Sequence, residues 1–230
     1  QNLLGIKNQY KLLTGDICNI NFIQKLIDDY EPNEIYNLAA QSSVGVSFKK
    51  PLETFQSIVD GTRSILEAAR LTNYSGNIFF AGSSEMYGET EKAADLHTIH
   101  SPKSPYGFAK SQSFALVKLY REIYNLNCTS GILFNHESPI RDNRFVTHKI
   151  IQGAIESCKD KNYKIKLGNI DICRDWGWAE EYVEAMQLIN RSNLNEDFII
   201  CTGNLNSLRS FAKQAFKILN LNWRDHIKTE

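Results

Sequence analysis

Residues 77–82 read Asn77-Ile-Phe-Phe-Ala-Gly82, a run of apolar side chains that ends in a glycine. Such a short, continuous apolar run predicts a strand buried on both faces. Similar runs occur at 34–40 and 129–134, and residues 52–69 and 116–123 repeat apolar side chains at helical spacing. Strands that alternate with amphipathic helices in this way predict an α/β fold with a doubly wound parallel sheet.

The same patterns predict further elements along the chain, although their alternation weakens after residue 135. This half is interpreted as strands that return to the sheet, plus pieces of a smaller lobe. We expect strands at 11–16, 164–168 and 197–201, and helices at 22–30 (with Asn21 as its cap), 145–158, 180–189 and 208–219.

Composition narrows the class of protein. The chain has 230 residues with 26 basic and 26 acidic side chains, so its formal net charge of zero argues against electrostatic binding to nucleic acid or to an anionic membrane. No basic-then-apolar leader is visible in it, and no apolar run approaches the ~20 residues that a membrane helix needs, so we expect neither a secretory signal nor a membrane span. The five cysteines form no Cys-x-x-Cys pair, which predicts reduced, buried thiols in a cytoplasmic protein and no metal site.

Tyr106 and Lys110 are the strongest candidate pair for chemistry. They are four residues apart, so on a helix they lie on one face. A lysine ammonium near a phenol favours the phenolate, which makes the tyrosine a usable base near neutral pH. A pair of surface residues is the alternative, but the pair follows Ser104-Pro105, a helix-start signal, and a strand that ends in serine. That placement favours a catalytic role.

The residues after this strand lie at the carboxyl edge of the sheet, where open α/β sheets bind their ligands. Ser83 and Ser84 could orient a substrate hydroxyl, or they could only stabilise a turn. Glu85 could be a general base, or an acid that complements a helix dipole. Spacing alone leaves both pairs of alternatives open.

The other polar candidates come later in the chain and carry weaker signals. Asn135 and His136 follow the fourth strand, where a lone histidine is more often a hydrogen-bonded loop residue than a catalyst. Arg174 either pairs with the aspartate after it or clamps a phosphate with two hydrogen bonds. Lys149 and Arg141 are further phosphate candidates, or parts of a solvated basic face.

Together these motifs resemble the GDP-mannose 4,6-dehydratase family, which belongs to the extended short-chain dehydrogenase/reductases that act on nucleotide sugars. The resemblance covers nearly the whole chain. The motifs that carry it are Tyr36-Asn-Leu-Ala-Ala-Gln-Ser-Ser-Val44, Ser84-Glu-Met-Tyr-Gly88, Ser104-Pro-Tyr106, Gly131-Ile-Leu-Phe-Asn-His-Glu-Ser-Pro139, Leu167-Gly-Asn169 and Arg174-Asp-Trp-Gly177.

The resemblance implies a Rossmann-type fold and an enzyme that dehydrates GDP-mannose to GDP-4-keto-6-deoxymannose. It implies NADP, or else NAD, as a cofactor that is recycled. By the same resemblance, Ser83 binds the sugar 4-hydroxyl, Glu85 takes the C5 proton, and Tyr106 deprotonates the 4-hydroxyl while hydride leaves C4. Lys110 holds the nicotinamide ribose and tunes the tyrosine.

Binding residues follow from the same resemblance. The positions that match cofactor contacts are Asp16, Ile17, Leu38, Ala39, Ala40, Gln41, Ser42, Tyr106, Lys110, His136 and Arg141. Those that match contacts to the nucleotide sugar are Ser84, Asn135, Lys149, Asn169 and Arg174. Relatives in the family form dimers or tetramers, which implies a homodimer or homotetramer here.

The chain departs from the family in one motif. The family has a Gly-x-x-Gly-x-x-Gly loop that holds the pyrophosphate, and none of the thirteen glycines has that spacing. We therefore expect an internal fragment without the N-terminal phosphate-binding strand, loop and helix. Residues 1–140 are expected to form a truncated dinucleotide-binding Rossmann domain, and 141–230 a mixed region with an incomplete substrate-binding lobe.

Two alternative functions stay open from the sequence. One is a GDP-4-keto-6-deoxy-sugar reductase or a nucleotide-sugar 4-epimerase, which needs the serine, tyrosine and lysine but not Glu85. The other is a non-catalytic nucleotide-binding or scaffold fragment. A Glu85→Gln change separates the first alternative from the dehydratase, and cofactor affinity separates the second.

Overall fold

The fold is described from a computed structural model, for Ile6 and residues 9–229. The chain forms two compact units. The first contains the residues up to 134 together with 182–200, and the second contains 135–181 together with the residues from 201 onward. The boundary near residue 140 and the roles given to the two halves stay predictions.

The first unit is built on a four-stranded parallel sheet. Its strands are β1 (Glu34–Asn37), β2 (Asn77–Ser83), β3 (Cys128–Leu133) and β7 (Phe198–Ile200), in the order β1-β2-β3-β7. Strand β2 is the longest of the four and is buried from its second residue onward, as its apolar sequence predicts.

Helices connect these strands. They are α1 (Ile20–Tyr30), α2 (Val44–Lys49), α3 (Pro51–Phe55), α4 (Gly61–Leu71), α5 (Pro105–Tyr124) and α7 (Ala179–Arg191), the last of which belongs to the first unit from Tyr182 onward. A π-helical turn over Gln56–Asp60 joins α3 to α4. A 3-10 turn over Ser84–Met86 follows β2.

Alternate side chains of β2 are buried on opposite faces of the sheet. Ile78 and Phe80 pack in a core with residues of α1, α4 and α5. Phe79 and Ala81 pack in a second core with Tyr182 and Met186 of α7. Helices on both faces of a parallel sheet confirm the predicted doubly wound α/β class.

The second unit contains short strands and two long helices. Strand β6 (Cys173–Trp178) pairs in parallel with β4 (Asn135–Glu137) and antiparallel with β8 (Leu205–Ser207). Strands β5 (Ile165–Leu167) and β9 (Ile227–Thr229) pair in parallel. The core of this unit lies between α6 (Val146–Lys159) and α8 (Leu208–Ile218), where Ile150, Ala212 and Phe216 are fully buried.

Three predictions about this architecture are wrong. Residues 11–16 form no strand, because the described chain offers them no neighbouring strand; Leu12 is 71% exposed. Helix α1 begins two residues earlier than predicted, because the side chain of Asn19 and not that of Asn21 accepts the Phe22 N–H. The thiols are not uniformly buried, since Cys158, Cys173 and Cys201 are exposed.

Strands β4, β6, β8 and β9 and helix α2 were not expected from the sequence. Each of these five elements is at most six residues long and has at most one buried residue, so their sequences lack a clear period. None of the helices in the described part of the chain is long and apolar enough to cross a membrane.

Candidate functional site

Helix α5 positions the predicted pair of Tyr106 and Lys110. The Ser104 hydroxyl accepts a hydrogen bond from the Gly107 N–H at 3.0 Å, and Pro105 occupies the first helical position. Both features start a helix, because serine satisfies an unpaired N–H and proline has no N–H to lose. Tyr106 and Lys110 consequently lie on the buried face of the first two turns.

Lys110 is a buried cation in this site. Its ammonium donates to the Ala81 carbonyl of β2 at 2.8 Å and lies 5.0 Å from the centre of the Phe80 ring. Burial lowers the pKa of Lys110 from its ordinary 10.5 to about 8. The same nitrogen lies 5.9 Å from the centre of the Tyr106 ring. Among the residues that the structure describes, the ammonium has one carbonyl acceptor, which leaves two of its three N–H groups for a ligand.

Ser83, Ser84 and Glu85 form the turn at the carboxyl end of β2. Ser83 is the last residue of the strand and is buried, and its hydroxyl accepts from the Glu85 N–H at 3.3 Å. Ser84 and Glu85 begin the 3-10 turn and are half-buried. The turn therefore presents two hydroxyls and a carboxylate at the sheet edge where α/β folds bind ligands.

Gly107 brings helix α5 onto this turn. A Cβ atom at Gly107 would collide with the Glu85 carbonyl, so only glycine permits this close approach. Gly88 has a φ of +68°, and a Cβ atom there would collide with the Ser101 carbonyl. Glycine at this position therefore lets the start of the loop between the 3-10 turn and α5 pack against its end. The two glycines explain why Tyr106 lies on a helix that packs directly against the backbone of Glu85.

The predicted cofactor turn, residues 38–42, follows β1. Leu38 is 57% exposed, and Ala40 has a φ of +148°, a backbone conformation that residues other than glycine rarely adopt. The Gln41 amide donates to the Thr54 hydroxyl at 2.9 Å, and its oxygen accepts from the Ser43 N–H at 2.8 Å. The turn is thus anchored at one end, while its exposed residues face away from the core.

Asp16 and Ile17 lie in the segment before α1. The Asp16 carboxylate accepts from the Cys18 N–H at 2.9 Å, and Ile17 packs against Gly61 at the start of α4. These contacts account for the local structure of both residues, so their predicted contacts with a cofactor stay predictions.

Three predicted residues lie at the start of the second unit. Asn135 and His136 are half-buried residues of β4. Arg141 forms an ion pair with Glu137 at 3.2 Å, and its guanidinium lies 3.5 Å from the centre of the Phe145 ring. The pairing fixes Arg141 in place and leaves one face of the guanidinium for another partner.

The remaining predicted residues of the second unit are exposed. The Lys149 ammonium donates to the Lys166 carbonyl at 2.6 Å, and the Asn169 side chain accepts from the Asp171 N–H at 2.9 Å. Arg174 donates to the Cys173 carbonyl at 2.9 Å. The contacts of Asn169 and Arg174 are local, whereas Lys149 reaches a carbonyl 17 residues away. All three side chains are exposed to solvent and can turn to a ligand.

The proposed pairing of Arg174 with Asp175 is not what the structure contains. Asp175 is buried, and its carboxylate accepts from the N–H groups of Thr202 and Gly203 at distances between 2.7 and 3.1 Å. It also accepts from the Thr202 hydroxyl at 2.9 Å. Asp175 is therefore a structural anchor for the segment after β7, and Arg174 is available for another role.

Sequence reasoning missed two features that hold this site. The Ala81 carbonyl as the partner of Lys110 has no signal in the sequence, because any residue has a carbonyl. Thr54 as an anchor for Gln41 has a weak one, since it is a polar residue on the buried side of an otherwise apolar helical pattern.

The chain matches the sequence model of the family described as GDP-mannose 4,6 dehydratase over residues 1–230. GDP-mannose 4,6 dehydratase 1 of Arabidopsis thaliana is 38% identical to it over 224 residues, which are 96% of this chain and 62% of the relative. GDP-mannose 4,6 dehydratase of Homo sapiens is 40% identical over 216 residues, which are 92% of this chain and 58% of the relative. The chain thus spans about three fifths of the length of these relatives.

Two solved structures have the same fold at low sequence identity. RMD from Pseudomonas aeruginosa, complexed with NADPH, gives a TM-score of 0.85 at 22% identity over 95% of this chain and 74% of that chain. The dTDP-glucose 4,6-dehydratase DesIV from Streptomyces venezuelae, with NAD and TYD bound, gives 0.89 at 17% identity over 100% of this chain and 70% of that chain.

Proposed function

Because the chain belongs to the GDP-mannose 4,6-dehydratase family, we propose that the full-length protein is a hydro-lyase that converts GDP-mannose to GDP-4-keto-6-deoxymannose. One observation carries this proposal. Helix α5, with Tyr106 and Lys110, packs through Gly107 against the backbone of Glu85, so a candidate base for a hydroxyl and a candidate base for a carbon acid come from touching elements.

Each residue of this group has a chemical role in the proposal. Tyr106 takes the proton of the sugar 4-hydroxyl, and Ser83 orients that hydroxyl from the end of β2. Lys110 stabilises the phenolate because its ammonium is held by the Ala81 carbonyl in a buried position. Once C4 is a ketone, the C5 proton is acidic enough for the Glu85 carboxylate to remove it. The 6-hydroxyl then leaves as water with the proton that Glu85 has taken. When a hydride reaches C6, C5 regains a proton from solvent, which balances the one that Tyr106 took from the 4-hydroxyl.

NADP is the proposed cofactor, with NAD as the alternative. When bound, it would supply the acceptor for a hydride from C4 and the donor of the same hydride to C6. The residues of this chain fit the nicotinamide ribose, since the buried Lys110 ammonium has two N–H groups without an acceptor in the described chain. The RMD structure was complexed with NADPH, whereas DesIV had NAD bound, so these two neighbours support a nicotinamide cofactor in general.

The other proposed cofactor contacts are the turn of residues 38–42 with Asp16 and Ile17 before α1, and His136 and Arg141 in the second unit. For the GDP-sugar we propose contacts from Ser84 and from residues of the second unit. Exposed cations suit the pyrophosphate, and side-chain amides suit hydroxyls and bases. The proposed contacts in the second unit are Asn135, Lys149, Asn169 and Arg174.

We also propose that the protein is a cytoplasmic homodimer or homotetramer. Helix α5 exposes the apolar side chains of Phe108, Leu119 and Ile123, and Ile123 is 63% exposed. The spacing of these residues places them on one face of the helix. A second copy of the chain could cover that face. Light scattering on the full-length protein should give at least twice the monomer mass, and a Leu119→Lys, Ile123→Lys variant should lower it.

The test of the function uses the full-length protein, GDP-mannose and a catalytic amount of NADP. Mass spectrometry of the nucleotide sugar should find the loss of one water without accumulation of NADPH. An unchanged sugar mass would reject the dehydratase for this substrate. GDP-4-keto-6-deoxymannose would then be supplied as the substrate, and its reduction would indicate a reductase. A change in the chromatographic retention of the nucleotide sugar at constant mass would indicate an epimerase.

A further inference from the structure

The helical segment after the cofactor turn is interrupted by one π-helical turn. Between α3 and α4, the Gly61 N–H donates to the Gln56 carbonyl five residues earlier and to the Ile58 carbonyl three residues earlier, and not to the one four residues earlier. A π-turn of this kind inserts one extra residue into a helix, and such turns are frequent at functional sites.

The inserted residue aligns two threonines, Thr54 and Thr62. Eight residues of an unbroken α-helix advance by about 800°, which is roughly 80° past two full turns. With one residue absorbed by the π-turn, the spacing behaves as about seven residues, roughly 20° short of two turns. Both threonines are buried, and both hydroxyls therefore point to the same side of the helical segment, where β1 ends.

Each threonine holds one side-chain amide. The Thr62 hydroxyl accepts from the Asn37 amide at 3.2 Å, and the Thr54 hydroxyl accepts from the Gln41 amide at 2.9 Å. Each hydroxyl proton is already donated to a helix carbonyl, at 2.6 Å for Thr62 and 2.8 Å for Thr54. Because its proton is already used, the oxygen of each hydroxyl can only accept a hydrogen bond, and the side-chain amide supplies the donor.

An unusual backbone conformation lies between the two amides. Asn37 precedes the turn and Gln41 lies within it, and Ala40 between them has a φ of +148°. A residue keeps such a conformation only when its surroundings over-determine it, and such residues cluster at ligand sites. Asn37 is also 95% buried, and its side-chain oxygen Oδ1 has no hydrogen-bond partner in the described chain.

The π-helical turn also contacts helix α5, which contains Tyr106 and Lys110. The Ile58 side chain is buried in one cluster with Tyr106 and Ala109 of α5. The Ile58 carbonyl accepts from the Ser113 hydroxyl at 3.2 Å, one turn beyond Lys110. The π-helical turn of residues 56–60 therefore contacts both α5 and Thr62, whose hydroxyl bonds the Asn37 side chain at the end of β1.

We propose that Thr54 and Thr62 are positioning residues, which the π-turn aligns so that they hold the turn of residues 38–42 in the shape that receives the nicotinamide cofactor. The inference rests on the proposed function, because the contact between this turn and the cofactor is part of it. Thr54 and Thr62 act through Gln41 and Asn37, and neither is required to touch the cofactor.

The experiment compares Thr62→Val and Thr54→Val with Thr62→Ser in the full-length protein. Valine keeps the shape of threonine without the hydroxyl, and serine keeps the hydroxyl. The matched control is Thr72→Val, because Thr72 also bonds the carbonyl four residues back on α4 but holds no amide of the turn. NADPH affinity is read from its fluorescence, and hydrogen exchange reports on the amides of residues 38–42.

Both valine variants at positions 54 and 62 should weaken NADPH binding about 10-fold, which is the scale of one lost buried hydrogen bond. They should also accelerate amide exchange in the turn, while kcat at saturating cofactor stays within about 3-fold. Thr62→Ser and Thr72→Val should bind NADPH like the wild type.

Unchanged NADPH affinity in Thr62→Val and Thr54→Val would overturn the inference, and so would equal weakening in Thr72→Val, which would indicate general loosening of α4. A wild-type protein that binds neither NADP(H) nor NAD(H) would overturn the proposed function and the inference together. The two failures can be told apart, because failure of the proposed function is seen in the wild type, whereas failure of the inference is seen only when the variants are compared with it.

Discussion

The proposed site residues of the two units differ in what holds their side chains. In the first unit, Ser83 and Lys110 are buried and bonded to backbone atoms, the lysine at 2.8 Å. In the second unit, Lys149 and Arg174 donate to backbone carbonyls but are exposed to solvent. A buried polar group is costly unless it is satisfied, whereas an exposed one can turn to a ligand. The first set should therefore govern the chemical step, and the second should govern binding.

The largest expected effect is that of Glu85→Gln. The change keeps the size of the side chain but removes the base for the C5 proton, so dehydration should fall about 10³-fold or more. Steady-state assays with GDP-mannose measure this loss. Glu89→Gln, at an exposed position three residues after the 3-10 turn, is the control and should behave like the wild type. Retained sugar turnover in Glu85→Gln would favour an epimerase or a reductase.

Lys110→Met is expected to lower the activity of the enzyme and to raise its stability, so it separates the two roles of the lysine. Activity should fall about 10²- to 10³-fold, because the phenolate of Tyr106 loses its cation. Stability should rise, because burial lowers the pKa of Lys110 from 10.5 to about 8 and so penalises the charged form by ~3 kcal/mol below that pH. Chemical denaturation measures the gain, and Lys118→Met on the exposed face of α5 is the control.

The pH dependence of stability has a definite sign for this group. Between about pH 8 and pH 10.5 the unfolded chain binds the lysine proton and the folded chain does not. The stability of the wild type should therefore rise with pH across this window relative to Lys110→Met, and the difference between them should be constant below pH 8. A difference that shrinks as pH falls from 8 would contradict the assigned burial.

Gly107→Ala should have a smaller effect on both properties. Its Cβ would collide with the Glu85 carbonyl, so α5 must move away from the turn. We expect a loss of about 1–3 kcal/mol in unfolding free energy and of about 10- to 100-fold in kcat. Gly45→Ala is the matched control, since a Cβ there meets nothing closer than 3.9 Å. Equal activity in the two variants would disprove the positioning role of Gly107.

Arg174→Gln is expected to have the smallest effect. Removal of an exposed cation should raise the KM for GDP-mannose about 10-fold and leave kcat and the melting temperature unchanged. Arg144→Gln removes another exposed arginine and serves as the control. A fall in kcat without a change in KM would place Arg174 with the residues of the chemical step and would remove the contrast between the units.

The sequence predicted the parts of the fold that depend on periodicity. Strand β2 and the helix of Tyr106 and Lys110 were predicted because long buried elements repeat their apolar side chains. The segment at 11–16 was predicted wrongly for a related reason, since an apolar pattern does not say whether a partner strand is present. Short strands such as β4 and β6 have too few buried residues to make a pattern.

The candidate site was predictable as a set of residue types but not as a geometry. The positions of Ser83, Glu85, Tyr106 and Lys110 follow from strand ends and helix spacing, and their roles stay predictions. The π-turn was not predictable, because the apolar spacing across residues 52–69 looks like one continuous helix. Buried threonines on that helix were the available signal.

The most direct test of the central claim uses GDP-mannose with deuterium at C4 of the sugar. The full-length protein, with a catalytic amount of NADP, should yield GDP-4-keto-6-deoxymannose with the deuterium at C6, because the hydride leaves and returns within one site. Deuterium that remains at C4 in a sugar of unchanged mass, or that accumulates in the reduced cofactor, would contradict the internal hydride transfer.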